Sequence, residues 1–305
     1  MRFIITLLSS LLGFLCSALA LEPVRINEHV WAIVGELGQR SPTNLGNNAT
    51  FGVILTGDGI VLVDPGGTAM GAAAIDAVLR RISERPVIAV INTGGQDHRW
   101  LGNIYWKANG ARIISSRAAV ADQKARFDMQ WLGLRELAGE AALVGTTPVY
   151  AEETFDSVLE LTIGGTQLQL THTGRAHTPG DLFVSLPGHG VIFAGDIIYV
   201  DRMLAILPEP LSGTADWLKA FAAIAALKPQ TIVPGHGRPT SLEDAKAATR
   251  DYLEFLRVST KSILNRNGNM IDAGKIEQRA FAHLVGASEL GGRNAQAVFA
   301  EIEFE

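Results

Sequence analysis

Residues 87–98 read Val-Ile-Ala-Val-Ile-Asn-Thr-Gly-Gly-Gln-Asp-His. Five successive apolar residues, four of them β-branched, predict a strand buried on both faces, as in a parallel sheet covered on either side. The glycine loop from Asn92 to Gln96 then stops the strand and delivers Asp97 and His98 at its carboxyl end. A carboxylate oxygen beside an imidazole nitrogen suits a divalent cation such as Zn²⁺. Taken on their own the two residues read rather as a helix N-cap, with Asp97 as the cap and His98 on the surface.

On the amino-terminal side, Trp31-Ala-Ile-Val34, Phe51-Gly-Val-Ile-Leu55 and Gly59-Ile-Val-Leu-Val63 read as strands, with a tight turn at Thr56-Gly-Asp-Gly59. Residues 68–83 repeat apolar positions every three to four and predict a helix. Beyond the quoted stretch come a strand at Ile113-Ile114 and a long amphipathic helix over 117–138. A second strand-rich block follows, at Leu159–Leu161, Gln167–Leu170, Leu182–Ser185 and Val191–Ala194, closed by a helix over 215–227 and a strand at Thr231–Val233. Two similar halves, each a sheet with helices outside, are the expected architecture. Residues 241–265 and 274–305 read as helices, the first capped by Ser241, and together as an extension (241–305) packed on a core of 21–240.

The chain has 7 histidines. Besides His98, two follow strands in glycine-flanked loops: His177 in Thr173-Gly-Arg-Ala-His-Thr-Pro-Gly-Asp181, and His236 in Ile232-Val-Pro-Gly-His-Gly237. Asp196 ends a further strand in Phe193-Ala-Gly-Asp196. Loops at one sheet edge are where a scaffold gathers ligands from distant parts of a chain, and four such loops in this order point to one centre. His29, His189 and His283 lie outside the pattern and read as surface or core residues.

The 305 residues are 47% hydrophobic and 19% charged, with a net charge of −5, which excludes a disordered chain and gives no basic surface for nucleic acid. Met1-Arg2, the uncharged run to Leu15 and the small residues Ala18 and Ala20 read as a signal peptide over 1–20, cut after Ala20. The apolar run is shorter than the roughly 20 residues that span a bilayer, so a periplasmic or secreted protein free of the membrane is expected. The lone cysteine, Cys16, falls inside the signal, so chemistry must come from histidines and carboxylates.

Over roughly residues 24–240 the chain resembles the metallo-β-lactamase superfamily, whose fold is an α/β four-layer αββα sandwich with zinc at one edge. The resemblance implies Asp97, His98 and His236 as ligands of one zinc, His177 as a ligand of another, and Asp196 as the carboxylate between them. Asp64, in Leu62-Val-Asp-Pro-Gly66, matches a residue that orients the metal loop. The family's His-x-His-x-Asp-His run is broken here, because Thr93 and Gly95 stand where the two leading histidines belong. One Zn²⁺, held by Asp97, His98, Asp196 and His236, is therefore expected, with His177 free to move a proton and Gln96 or His172 as candidates to rebuild the other position.

The stretch Ile91–Asn103 with the signal peptide also looks like the exported branch called quinoprotein relay system zinc metallohydrolases, which implies a quinoprotein dehydrogenase as a partner. These readings imply metal-assisted hydrolysis of a small ester, thioester or amide, with Asp97 and His177 catalytic. The alternative is a degenerate site that binds a small molecule without turning it over. The loop Tyr199–Leu211 is expected to wall the substrate cleft or to lie under the carboxyl-terminal helices, with Arg202 available to an anionic group.

Overall fold

The structure is a computed structural model and describes residues 21–305; the expected signal run 1–20 lies outside the described residues. Among the described residues one sheet runs in chain order: β1 (Glu22–Arg25), β2 (Val30–Val34), β3 (Thr50–Leu55), β4 (Ile60–Val63), β5 (Val87–Asn92), β6 (Arg112–Ser116) and β7 (Glu153–Phe155). Strands β1 to β4 pair antiparallel and β4 to β7 parallel. Connections set this change. The turn at Thr56–Gly59, closed by a 2.8 Å bond from Thr56 N–H to the Gly59 carbonyl, reverses the chain, whereas α1 (Ala69–Leu79), α2 (Asn103–Ala108) and α3 (Arg117–Ala138) carry it back to start each parallel strand.

The second sheet has the order β12-β11-β10-β9-β8, from β8 (Val158–Ile163), β9 (Thr166–His172), β10 (Leu182–Leu186), β11 (Val191–Phe193) and β12 (Thr231–Val233). It is antiparallel except for β11 and β12, which α4 (Thr214–Ala226) joins in parallel.

Both faces of the inner strands are apolar because both are covered. In β4, Val61 and Val63 point into the layer between the sheets, where they meet Val184, Phe193 and Val233. Ile60 and Leu62 point outward under Ile75, Leu79 and Trp106 of α1 and α2. The outer face of the second sheet packs Phe183, Ile192 and Ile232 against Trp217 and Phe221 of α4 and against the carboxyl-terminal helices. The result is the expected αββα sandwich. Trp100 and Trp106 are fully buried core residues.

The carboxyl-terminal helices depart from the sequence reading. The continuous helix expected over 241–265 is α5 (Leu242–Ala245), then a wide turn over Lys246–Arg250, then α6 (Asp251–Leu264). The wide turn lets Thr249 Oγ1 donate to the Tyr199 carbonyl (2.7 Å) and accept from the Tyr199 N–H (3.0 Å), which ties it to the loop after Asp196. The helix expected over 274–305 starts only after an irregular run, as α8 (Ala287–Ile302); before it comes the single turn α7 (Met270–Ala273). Among the described residues, no helix is long and apolar enough to cross a membrane.

One glycine sets the spacing of the two sheets. Gly52, on β3, faces the Phe193 ring of β11, and a Cβ there would run into that ring. Gly52→Ala should therefore destabilise the fold by about 1–3 kcal/mol, and the double variant Gly52→Ala/Phe193→Leu should cost less than the two single changes added together. Urea unfolding of the four proteins measures this; strictly additive losses would contradict the contact.

Candidate metal centre

Strands β5, β11 and β12 end at the same edge of the sandwich. At β5 the loop 93–96 feeds a short turn over Asp97–Arg99. Its ends are fixed by reciprocal amide bonds between Asn92 and Asn103, 2.8 and 2.9 Å long. At β11 the chain bends at Gly195, in the left-handed region (φ 51°), and presents Asp196. At β12 the Gly235 N–H bonds the Ile198 carbonyl (2.9 Å), and the Val200 N–H bonds the His236 carbonyl (3.0 Å), which places His236 beside Asp196.

The three side chains converge, all buried. His98 Nε2 lies 3.3 Å from Asp196 Oδ2, and His236 Nε2 lies 3.2 Å from Asp196 Oδ1. Each of the three offers a ligand atom within 4.8 Å of the others, so together they can hold a metal ion. The hydrogen bonding at His236 fits one. Its Nδ1 lies 2.7 Å from the Asn48 carbonyl, an acceptor, so Nδ1 carries the proton. Burial holds this imidazole's pKa well below the usual value, so it is neutral. Its Nε2 lone pair therefore faces a carboxylate oxygen, an arrangement that a shared cation reconciles.

Asp196 is ionised despite its burial, because Arg99 holds its pKa far below the carboxylate range. Arg99 is fully buried and clamps Asp196 through Nη2 (2.6 Å) and Nε (3.1 Å); its Nη1 reaches Asp64 at 2.8 Å. Asp64 sits at φ 67°, an uncommon conformation for a non-glycine residue, and accepts from the Thr93 N–H and hydroxyl. Asp64 is thus tied to the loop through Thr93 and to Asp196 through Arg99.

Two of the five expected ligands stand outside the trio. Asp97 is ionised because the Arg40 guanidinium outweighs the burial penalty on its carboxyl; its Oδ1 is taken up by Arg40, the His98 N–H and His98 Nδ1. His177 Nδ1 lies 2.8 Å from the Ala205 carbonyl, and burial lowers its pKa to about 4. His172 faces the Asp181 carbonyl and Gln96 accepts from Arg126 (3.3 Å), so neither joins the trio.

The positions without histidine are filled by other contacts. Thr93 is locked on Asp64, and a Cβ at Gly95 would run into the Asp122 carboxylate, which α3 holds in an ion pair with Arg126. Gln123 and Gln130 of the same helix donate to the Gly94 and Gly95 carbonyls. The loop Tyr199–Leu211 is split between two environments. Met203 and Leu204 are buried with the carboxyl-terminal helices, while Ala205 to Pro208 line a cavity of about 190 Å³ over the trio. Asn294 of α8 clamps this loop by donating to the Leu204 carbonyl (2.7 Å) and accepting from the Ile206 N–H (2.9 Å), on either side of the carbonyl that holds His177. Arg202 lines the same cavity and bonds the Gly38 carbonyl at 2.7 Å.

Sequence reasoning passed over Arg40, Arg99 and Asn294. Of these only Arg99, next to Asp97 and His98, left a signal: a cation beside an expected ligand pair.

A family model for the metallo-beta-lactamase superfamily matches residues 45–236. A curated relative, a linear primary-alkylsulfatase from Pseudomonas sp., is 23% identical over 250 residues, 68% of this chain; the chain spans about half of that relative's length (46%). Among solved structures, the stereoselective inverting sec-alkylsulfatase Pisa1 from Pseudomonas sp. superposes with a TM-score of 0.69 at 15% identity, over 92% of this chain and 50% of the other. The metallo-beta-lactamase FIM-1 of Pseudomonas aeruginosa, in its mono-zinc form, gives 0.58 at 20% identity, over 75% and 93%.

Arg99→Leu leaves Asp64 and Asp196 buried without their cation and should cost about 3–5 kcal/mol of stability in urea unfolding; a cost under about 1 kcal/mol would show that the ion pairs do not organise the centre. A second expectation concerns pH. The unfolded chain protonates His177 below about pH 6.5, whereas the folded metal-free chain does so only near 4. This group's contribution is therefore whole above pH 6.5 and is lost as pH falls toward 4, on the order of 3 kcal/mol. The stability gap between the metal-free wild type and His177→Gln should narrow by about that amount over this window; a gap that stays constant would contradict a neutral, buried His177.

Proposed function

The chain belongs to the metallo-beta-lactamase superfamily, and we propose that it is a metal-dependent hydrolase acting on a small ester, thioester or amide, with a single Zn²⁺ held by His98, Asp196 and His236. The observation that carries this reading is the neutral His236 whose lone pair faces the ionised Asp196. Such a cation, when bound, lowers the pKa of water toward 7 and polarises a carbonyl.

The chain's own residues supply the rest. Arg99 keeps Asp196 charged and in place. Asp97 and Arg40 together fix the His98 ring, with Asp97 Oδ1 at 3.0 Å and Arg40 Nη2 at 2.9 Å from Nδ1, so that Nε2 is turned toward Asp196. His177 is neutral and its Nδ1 is committed to Ala205, so its Nε2 lone pair is left unprotonated at neutral pH, where it can accept a hydrogen bond from water or substrate as a general base must. Tyr199 stacks on His236 at 4.6 Å and Trp217 holds the Ile197 carbonyl (2.8 Å), which keeps this side of the centre apolar and dry.

One metal rather than two is favoured by Thr93, whose hydroxyl is spent on Asp64, and by Gly95, where even a Cβ would meet the Asp122 carboxylate. The same filled positions favour, as a second reading, a binding protein that turns nothing over. Export to the periplasm, and company with a quinoprotein dehydrogenase, belong to this proposal on the strength of residues 1–20 and Ile91–Asn103.

Elemental analysis of the purified protein should find about one zinc per chain. A panel of esters, thioesters and amides, with an alkyl sulfate added because the curated relative is an alkylsulfatase, should reveal turnover that His98→Ala and His236→Ala abolish together with the metal. Metal-free protein with no turnover would favour the binding reading, and turnover that persists without metal would overturn the mechanism.

A further inference from the structure

The cavity above the trio is lined by three arginines, Arg40, Arg202 and Arg293, and by no carboxylate. Arg40 is taken by Asp97. Among the described residues, the other two have no carboxylate partner. Arg202 is 8% exposed and makes one side-chain hydrogen bond, to the Gly38 carbonyl, while Arg293 is exposed on α8 and makes none among the described residues. An arginine buried without a counter-ion is costly, and Arg202 is held in place by its backbone: its segment pairs with Val285, with the Met203 N–H on the Val285 carbonyl (3.0 Å) and the Val285 N–H on the Asp201 carbonyl (3.0 Å). The lining also includes four apolar side chains, Ile206, Leu207, Pro208 and Leu290.

Charge accounting points the same way. Around the centre three carboxylates, Asp64, Asp97 and Asp196, stand against four guanidinium groups, Arg40, Arg99, Arg202 and Arg293, and any bound divalent cation adds to that positive excess. A ligand entering this cavity meets both guanidinium forks of N–H donors and apolar side chains.

We infer that Arg202 and Arg293 form a binding site for the anionic group of an amphiphilic ligand, whose hydrocarbon part lies against Ile206, Leu207, Pro208 and Leu290. Guanidinium forks match a carboxylate, sulfate or phosphate head alike. The inference names a substrate class for the proposed hydrolase and in that sense rests on it, but the binding itself requires no turnover.

The test is isothermal titration calorimetry on the full, metal-loaded chain. The probes are octanoate, octanesulfonate and octylphosphonate, whose head groups cannot be hydrolysed, with octan-1-ol as the neutral control and acetate as the short one. At least one octyl anion should bind at least about tenfold more tightly than octan-1-ol and than acetate, and the ranking of heads identifies the anion. Arg202→Gln and Arg293→Gln should each weaken that anion by about tenfold with metal content unchanged. Should Arg202→Gln fail to fold, the surface variant Arg293→Gln carries the test. Anion affinity that both variants leave intact would mean that the metal alone binds it and would overturn the inference, as would equal affinity for octan-1-ol. Arginine-dependent binding without ester turnover would uphold this site while removing the hydrolase reading; turnover with no preference for anions would do the reverse.

Discussion

One carboxylate organises the centre. Asp196 accepts two N–H groups from a fully buried Arg99 and faces the Nε2 atoms of His98 and His236, so its position fixes three elements far apart in sequence. A buried carboxylate survives ionised only where cations and donors replace its lost hydration. Arg99 supplies that replacement and passes the constraint on to Asp64, to the strained turn after β4 and to Thr93 at the start of the metal loop. The rest of the edge is arranged around this chain of contacts.

The sandwich is what makes the convergence possible. Strands buried on both faces leave their ends rigid, and parallel crossovers return successive strands in one direction, so their carboxyl ends collect at one edge. Helices then steady the loops from outside. α3 turns Asp122, Gln123, Arg126 and Gln130 inward onto the carbonyls and glycines of 94–96, and Asn294 of α8 holds the segment that carries the His177 contact. The carboxyl-terminal helices are thus part of what shapes the cavity.

Much of this is legible in the sequence. The apolar runs at 60–63 and 87–91 announce doubly covered strands, and the glycine-flanked Asp97-His98, Asp196 and His236 mark the strand ends that carry the trio. What is not legible is pairing over distance. Arg40 lies 57 residues before the carboxylate it binds and sits in an irregular loop with no periodic signal. The polar face of α3 looks like an ordinary solvated face; it is buried because loop carbonyls next to it need donors, a demand that appears only once β5 and α3 are adjacent. The helix expected over 241–265 breaks for a similar reason, since Thr249 is recruited by the Tyr199 backbone.

The central claim is that a single divalent cation sits between His98, Asp196 and His236. Anomalous diffraction from crystals grown with Zn²⁺ tests it most directly. We expect one peak about 2.0–2.2 Å from His98 Nε2, His236 Nε2 and an Asp196 carboxylate oxygen, with no second peak beside His177. A peak elsewhere, a pair of peaks, or none at the trio would contradict the account.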